Sequence, residues 1–188
     1  MDHPTAFFLR GINVGANNRV PMAELRALLA EKLGAQQVKT YLQSGNVVAV
    51  PPGDPDDFAK TMSQVIDMEF GVHSPVVHRT REDLSAVLAA DPLRVIATDE
   101  KLYQVHFCDR PVPELNLAAL PIHEDERIVV NGSEIYIWYG SNKGIHASKL
   151  PAALGKQLPG MTITARNMRT VRQVAELLDA AESSGSPS

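Results

Sequence analysis

Hydrophobic and polar positions fall along this chain in blocks whose period changes, and the order of blocks is used twice. Thr5–Leu9 is a short apolar run closed by Arg10-Gly11, which predicts a buried strand. Pro21 is placed to open a helix, because its missing N–H would be unpaired at the first helical position anyway. Met22, Leu25, Leu29 and Leu33 then recur at helical spacing, and Gly34 marks the stop. Val38–Leu42 and Val47–Val50 read as strands around the turn formers Gln43-Ser44-Gly45-Asn46. Asp54-Pro55 supplies an N-cap and first helical residue, Phe58, Met62, Val65 and Ile66 the apolar face, and Gly71 the end. Pro75–His78 is a short strand. The order strand-helix-strand-strand-helix-strand is the split β-α-β, or ferredoxin-like, arrangement.

Thr80-Arg-Glu-Asp83 has the form of a capping box and predicts a linking helix with Leu84, Val87 and Leu88 inside. After Asp91-Pro92 the order begins again. Leu102–Phe107 is a strand and Pro113–Leu120 a short helix; Arg127–Val130 and Glu134–Tyr139 are strands flanking Asn131-Gly132, a strong hairpin signal. Ser148–Leu158 reads as a helix and Met161–Thr164 as a strand, and Asn167 is placed to cap a last helix bearing Val171, Val174 and Leu178. The fold class expected is therefore α+β, with two ferredoxin-like (split β-α-β) subdomains and an added linking helix and C-terminal helix. The first subdomain covers 1–80 and the second, with the linking helix, 81–181. The small, polar residues 182–188 predict a disordered tail. The halves share an order of elements, not residue identities.

Composition narrows the class. With 44% hydrophobic and 21% charged residues the chain is ordinary globular material. A single cysteine, Cys108, excludes an internal disulfide and a cysteine-based metal cluster. The histidines are scattered without zinc spacing, so no metal and no cofactor is expected. No basic leader with an apolar core is visible and no run approaches a membrane span, so the expected location is cytoplasmic, with no membrane partner. The formal charge of −4 argues against nucleic acid as a partner, leaving only a local basic patch around Lys143, Lys149, Lys156, Arg166, Arg169 and Arg172.

Topology selects the candidate chemistry. In a split β-α-β unit the first and second strands run the same way, so the loop leaving the first and the hairpin after the second share one end of the sheet. This predicts that Arg10–Arg19 meets Gln43–Asn46. In the second half it groups Cys108–Val112, Asn131-Gly132 and Arg166-Asn167, with Gly140–Ala147 at the opposite end. Gly11 and Gly15 permit positive φ and close backbone approach. Arg10 offers a bidentate fork to a carboxylate or phosphate, and Asn13 adds polar groups. Gln43, Ser44 and Asn46 would complete the site from the hairpin. The alternative for all of these is a purely structural turn in which Arg10 meets a carboxylate. Lys149, Arg166 and Asn167 are further candidates for binding an acidic ligand or a nucleic-acid backbone; Ser148 and Asn167 are each well placed as helix N-caps.

Leu9-Arg-Gly-Ile-Asn-Val-Gly15, Val20-Pro-Met-Ala-Glu-Leu-Arg26 and Thr40-Tyr-Leu-Gln-Ser-Gly-Asn-Val47 together closely resemble a bacterial family called domain of unknown function 1697. The resemblance continues at Ser148-Lys-Leu150 and Thr164-Ala-Arg-Asn-Met-Arg-Thr-Val171 and so spans nearly the whole chain. It implies a duplicated ferredoxin-like fold and, as the family name states, no agreed activity.

Several familiar chemistries do not fit. Gly140-Ser-Asn-Lys-Gly144 lacks the spacing of a phosphate-binding Walker loop, and Gly11-Ile-Asn-Val-Gly15 is not a dinucleotide fingerprint. Ser44 has no GxSxG context. Aromatic residues amount to only 5%, and their one cluster, Tyr136, Trp138 and Tyr139, reads as core rather than as a base-stacking platform. Three readings remain: a module binding a small anionic, phosphate- or nucleotide-like ligand at Arg10–Gly15 and Gln43–Asn46; an enzyme of unassigned class using the same pocket; and a nucleic-acid or protein interaction domain using the C-terminal basic region.

Overall fold

The computed structural model describes residues 3–15, 17–140 and 145–185. Its first strand, β1 (Thr5–Leu9), is buried along its whole length, as an uninterrupted apolar run requires. Helix α1 (Met22–Ala27) follows, with Pro21 as its extended N-cap rather than its first helical residue. It runs on into a π-helical turn, Leu28–Lys32, where the Leu33 N–H reaches back to the Leu28 carbonyl. Strands β2 (Gln36–Tyr41) and β3 (Asn46–Val50) form the expected hairpin. In α2 (Pro55–Phe70) the Asp54 carboxylate caps the amides of Asp56 and Asp57, and Gly71 closes the helix in the left-handed conformation at φ 65°. β4 (Val76–Arg79) completes a sheet of order β2-β3-β1-β4, which is the ferredoxin-like order. Phe7, Leu9, Val47 and Ala49 project from one face of this sheet into a core with Leu25 and Leu29 before β2 and Phe58, Met62 and Ile66 of α2.

Helix α3 (Arg81–Ala90) opens with the expected reciprocal cap: the Asp83 amide donates to Thr80 Oγ1 and the Thr80 amide to Asp83 Oδ2. The second sheet repeats the first, in order β6-β7-β5-β8, from β5 (Tyr103–Cys108), β6 (Arg127–Asn131), β7 (Glu134–Trp138) and β8 (Ile163–Asn167). Ile135, Ile137, Tyr139 and Cys108 pack against Leu150 and Leu154 of α4 (Leu150–Gln157) and against Leu158 and Met161. Gly132, at φ 62°, takes the first central position of the β6–β7 turn, the type II′ pattern.

The helix expected over Pro113–Leu120 does not form. One 3-10 turn, Leu117–Ala119, is all that interrupts an extended connection. Pro111, Pro113 and Pro121 remove amide donors and bias the residues before them to extended backbone, which outweighs the modest helix propensity between them. The last helix also runs into the segment that composition predicts as tail. Helix α5 (Met168–Gly185), capped by Asn167 Oδ1 on the Thr170 amide, includes Glu182–Gly185, where the hydroxyls of Ser183 and Ser184 bond to the carbonyls of Asp179 and Ala180. Residues 186–188 lie outside the described residues. By internal contacts the chain forms two compact units, Met1–Ala86 with Arg172–Ser188, and Val87–Val171. No helix among the described residues is long and apolar enough to cross a membrane.

Gly45 is the tightest point of the first unit. A Cβ there would lie 2.6 Å from Leu9 Cβ and 2.8 Å from Ile12 Cδ1, and the residue sits at φ 77°. Both the overpacking and the left-handed backbone penalise any side chain. Gly45→Ala is expected to lower the unfolding free energy by about 2–4 kcal/mol, read from the midpoint of urea denaturation.

Candidate functional site

The loop after β1 meets the β2–β3 hairpin, as the topology requires. The Leu9 amide donates to the Gly45 carbonyl at 2.8 Å, and Arg10 is held on its other side, its N–H on the Pro75 carbonyl and its C=O accepting from Ser74 Oγ. Asn13 then ties the loop together. Its Nδ2 donates to the Val20 carbonyl at 2.9 Å and to the Gln43 carbonyl at 2.7 Å, while Oδ1 accepts from the Val20 amide at 2.9 Å. Asn18 adds a bond from its Nδ2 to the Gly11 carbonyl, and its own carbonyl accepts from the Asn13 amide. Gly11, Asn13, Gly15 and Asn18 all stand at φ between 52° and 70°. Asparagine tolerates this region because its short polar side chain bonds the local backbone, as both asparagines do here.

The candidate residues thus separate into two groups. Asn13 and Asn46 are structural donors. Asn46 is 1% exposed, and its Nδ2 donates to the Tyr41 carbonyl and to Ser44 Oγ. Arg10 and Gln43 are exposed, and among the described residues neither side chain has a partner. Beside them lie exposed Arg19, Val14 (68% exposed) and Leu42 (56% exposed). The surface offered by this end of the sheet combines arginine, amide and aliphatic groups on a backbone held by side-chain hydrogen bonds.

The C-terminal candidates do not assemble as expected. β8 runs antiparallel to β5, pairing Gln104 with Asn167 and Cys108 with Ile163. Arg166 and Asn167 therefore stand at the end of the sheet opposite Cys108–Val112 and Asn131-Gly132, which do meet through the Cys108–Ser133 and Val112–Gly132 backbone bonds. The grouping failed because the last strand of the unit enters beside Cys108, at Ile163, and leaves at the opposite end. Arg166 is buried, its Nη1 donating to Thr164 Oγ1 and the Ala165 carbonyl; burial lowers its pKa to about 10. Asn167 caps α5. Lys143, and with it most of the Gly140–Ala147 loop, lies outside the described residues.

Lys149 belongs to a different constellation, which the sequence did not reveal. It lines a pocket of about 370 Å³ in the second unit together with His123, Asp125, Glu126, Tyr139 and Ser148. The only linear signal was the charged run His123-Glu-Asp-Glu-Arg127 between two apolar segments. Glu126, 4% exposed, accepts from the His123 amide at 2.9 Å, and Asp125 bonds His123 Nδ1. Tyr139, 2% exposed, shares a 3.1 Å hydrogen bond with His106 Nε2. Burial and, secondarily, the negative charge of Glu126 push the Tyr139 phenol above its ordinary value, so it stays protonated at neutral pH. Burial alone lowers His106 to about 4, so this imidazole is neutral. No group of three or more His, Cys, Asp or Glu residues placed to hold a metal occurs among the described residues.

Two consequences can be measured. Asn13→Gly keeps the left-handed backbone free of strain and deletes only the side-chain bonds. It is expected to cost about 1–2 kcal/mol in chemical denaturation and to speed hydrogen exchange of the Val20 amide. His106 binds a proton in the unfolded chain below about 6.5 but in the folded one only below about 4. Stability from this residue is complete above the higher value and is lost as pH falls through the window, by roughly 3 kcal/mol in all. His106→Gln should remove that part of the slope of unfolding free energy against pH; an unchanged slope would rule out the buried neutral imidazole.

A search of curated proteins finds no match. Among solved structures, the chain is similar to the conserved bacterial protein SP0830 from Streptococcus pneumoniae, with a TM-score of 0.72 at 23% sequence identity over 93% of this chain and 98% of that one. At that identity the likeness speaks for the fold. The sequence model described as "Protein of unknown function (DUF1697)" matches residues 3–136, more than half of the chain, and the protein belongs to that family.

Proposed function

We propose that the protein is a binding module for a small anionic ligand, phosphate- or nucleotide-like, and that the ligand is taken up where the Arg10–Gly15 loop meets the Gln43–Asn46 hairpin. The observation that carries this reading is Arg10: an exposed guanidinium without a partner among the described residues, on a backbone fixed at both its N–H and its C=O. A guanidinium is the side chain best matched to bidentate capture of carboxylate or phosphate, and a fixed backbone reduces what ordering the site would cost on binding. Among the described residues of this short loop, Asn13 and Asn18 are non-glycine residues in left-handed backbone, a conformation concentrated at functional sites. Gln43, on the adjoining turn, supplies an uncommitted amide.

Binding is favoured over catalysis because the amides of Asn13 and Asn46 are already spent on the loop and hairpin, and Ser44 Oγ accepts from Asn46. The nucleic-acid reading loses Arg166 from its basic patch, since that residue is buried.

Titration calorimetry with inorganic phosphate and with a nucleoside monophosphate tests the proposal. Saturable binding is expected, with Kd raised about tenfold or more in Arg10→Ala and partly restored in Arg10→Lys. Equal affinity in the wild type and Arg10→Ala would make the loop a structural turn. Turnover of the bound compound would convert the module into an enzyme.

A further inference from the structure

Leu42 stands in a conformation that no hydrogen bond of its side chain can offset. It follows β2 at φ 57°, in the left-handed region, with its side chain 56% exposed and outside the apolar core of the first unit. A bulky aliphatic residue is disfavoured there because its Cβ crowds the neighbouring carbonyl oxygen. Asn13 and Asn18 share that backbone region, but each bonds its side chain to nearby backbone. Glycine or asparagine would fit the Leu42 position at less cost. A second aliphatic side chain, Val14, is 68% exposed on the loop after β1. The 2.7 Å bond from Asn13 Nδ2 to the Gln43 carbonyl joins the neighbour of Val14 to the neighbour of Leu42. Two exposed aliphatic groups therefore flank the contact that also carries the exposed Gln43 amide and lies beside Arg10.

We infer that the ligand of this end of the sheet is a free nucleotide rather than a bare phosphate, with its base laid on Leu42 and Val14, its base edge at the Gln43 amide and its phosphate on Arg10. This rests on the reading of the Arg10 loop as an anion site. A nucleobase has two π faces ringed by hydrogen-bond donors and acceptors. Aliphatic carbon covers such a face, and a primary amide offers one acceptor and two donors side by side to the edge. Inorganic phosphate or a sugar phosphate would engage Arg10 and leave both aliphatic groups in water. A polynucleotide is a poorer match, because the chain carries a net charge of −4 and polyanion binding draws on a basic surface.

The test is calorimetry of the full chain with the common nucleoside monophosphates, ribose 5-phosphate and inorganic phosphate. At least one nucleoside monophosphate is expected to bind about tenfold or more tightly than ribose 5-phosphate. Leu42→Asn suits the left-handed backbone, so its melting temperature is expected to equal or exceed that of the wild type. The same variant is expected to bind the nucleotide about fivefold or more weakly while its affinity for ribose 5-phosphate stays the same. Equal affinity of the wild type for nucleotide and ribose 5-phosphate would overturn the inference and leave the Arg10 loop an anion site. Unaltered nucleotide affinity in Leu42→Asn would overturn it too. Failure of all three classes of probe to bind would remove the inference and the anion site together.

Discussion

The close approach of Gly45 to Leu9 and Ile12 is the constraint on which the first unit's candidate site depends. A hydrogen in place of a side chain lets the hairpin turn close on the end of β1, so that the Gly45 carbonyl reaches the Leu9 amide. With the turn at that distance, the Gln43 carbonyl lies within reach of Asn13 Nδ2, and Asn13 in turn fixes Val20 just before α1. One close approach therefore sets the position of the loop, the hairpin and the start of the first helix. It also leaves Arg10 projecting from a surface with little freedom to rearrange, the condition under which a single guanidinium contributes most to binding.

The second unit solves the same sheet topology with different connections. Where the first joins β1 to β2 through α1, the second joins β5 to β6 by a proline-bound extended segment with one 3-10 turn. Without a helix over that region, Pro121–Glu126 lies against Tyr139 and Ser148-Lys149 and encloses a pocket in place of continuous apolar packing. The buried polar groups Glu126, Tyr139 and Arg166 of this unit are matched locally: Glu126 to the His123 amide, Tyr139 to His106, Arg166 to Thr164 and the Ala165 carbonyl. Such pairing is required because an unsatisfied buried polar group costs more than most single contacts return. Duplication of an architecture has thus not produced duplication of a surface. One unit presents an arginine-bearing loop and the other a cavity of mixed charge.

Much of this was legible in the linear chain because the signals are local. Asp54-Pro55, the Thr80–Asp83 box, Asn167 and Gly71 each act through hydrogen bonds or backbone preferences spanning a few residues, and each does in the fold what its spacing announced. Periodicity gave the strands and their faces, and the parallel directions of β1 and β2 gave the meeting of Arg10–Arg19 with Gln43–Asn46. Three features were not available at that range. The division of the loop's asparagines from its arginine, structural against uncommitted, depends on which backbone carbonyls lie opposite them. The burial of Arg166 depends on what surrounds β8, and its place at the far end of the sheet on the antiparallel entry of that strand. The pocket brings together side chains from 121–126, 139 and 147–149, which no spacing rule connects. The sequence by itself determined most of the elements, several of their caps and the arrangement of the first sheet, since these rest on neighbours along the chain. Only the tertiary structure decided which polar groups were consumed in holding the fold and which stayed exposed, because that depends on partners brought close by folding.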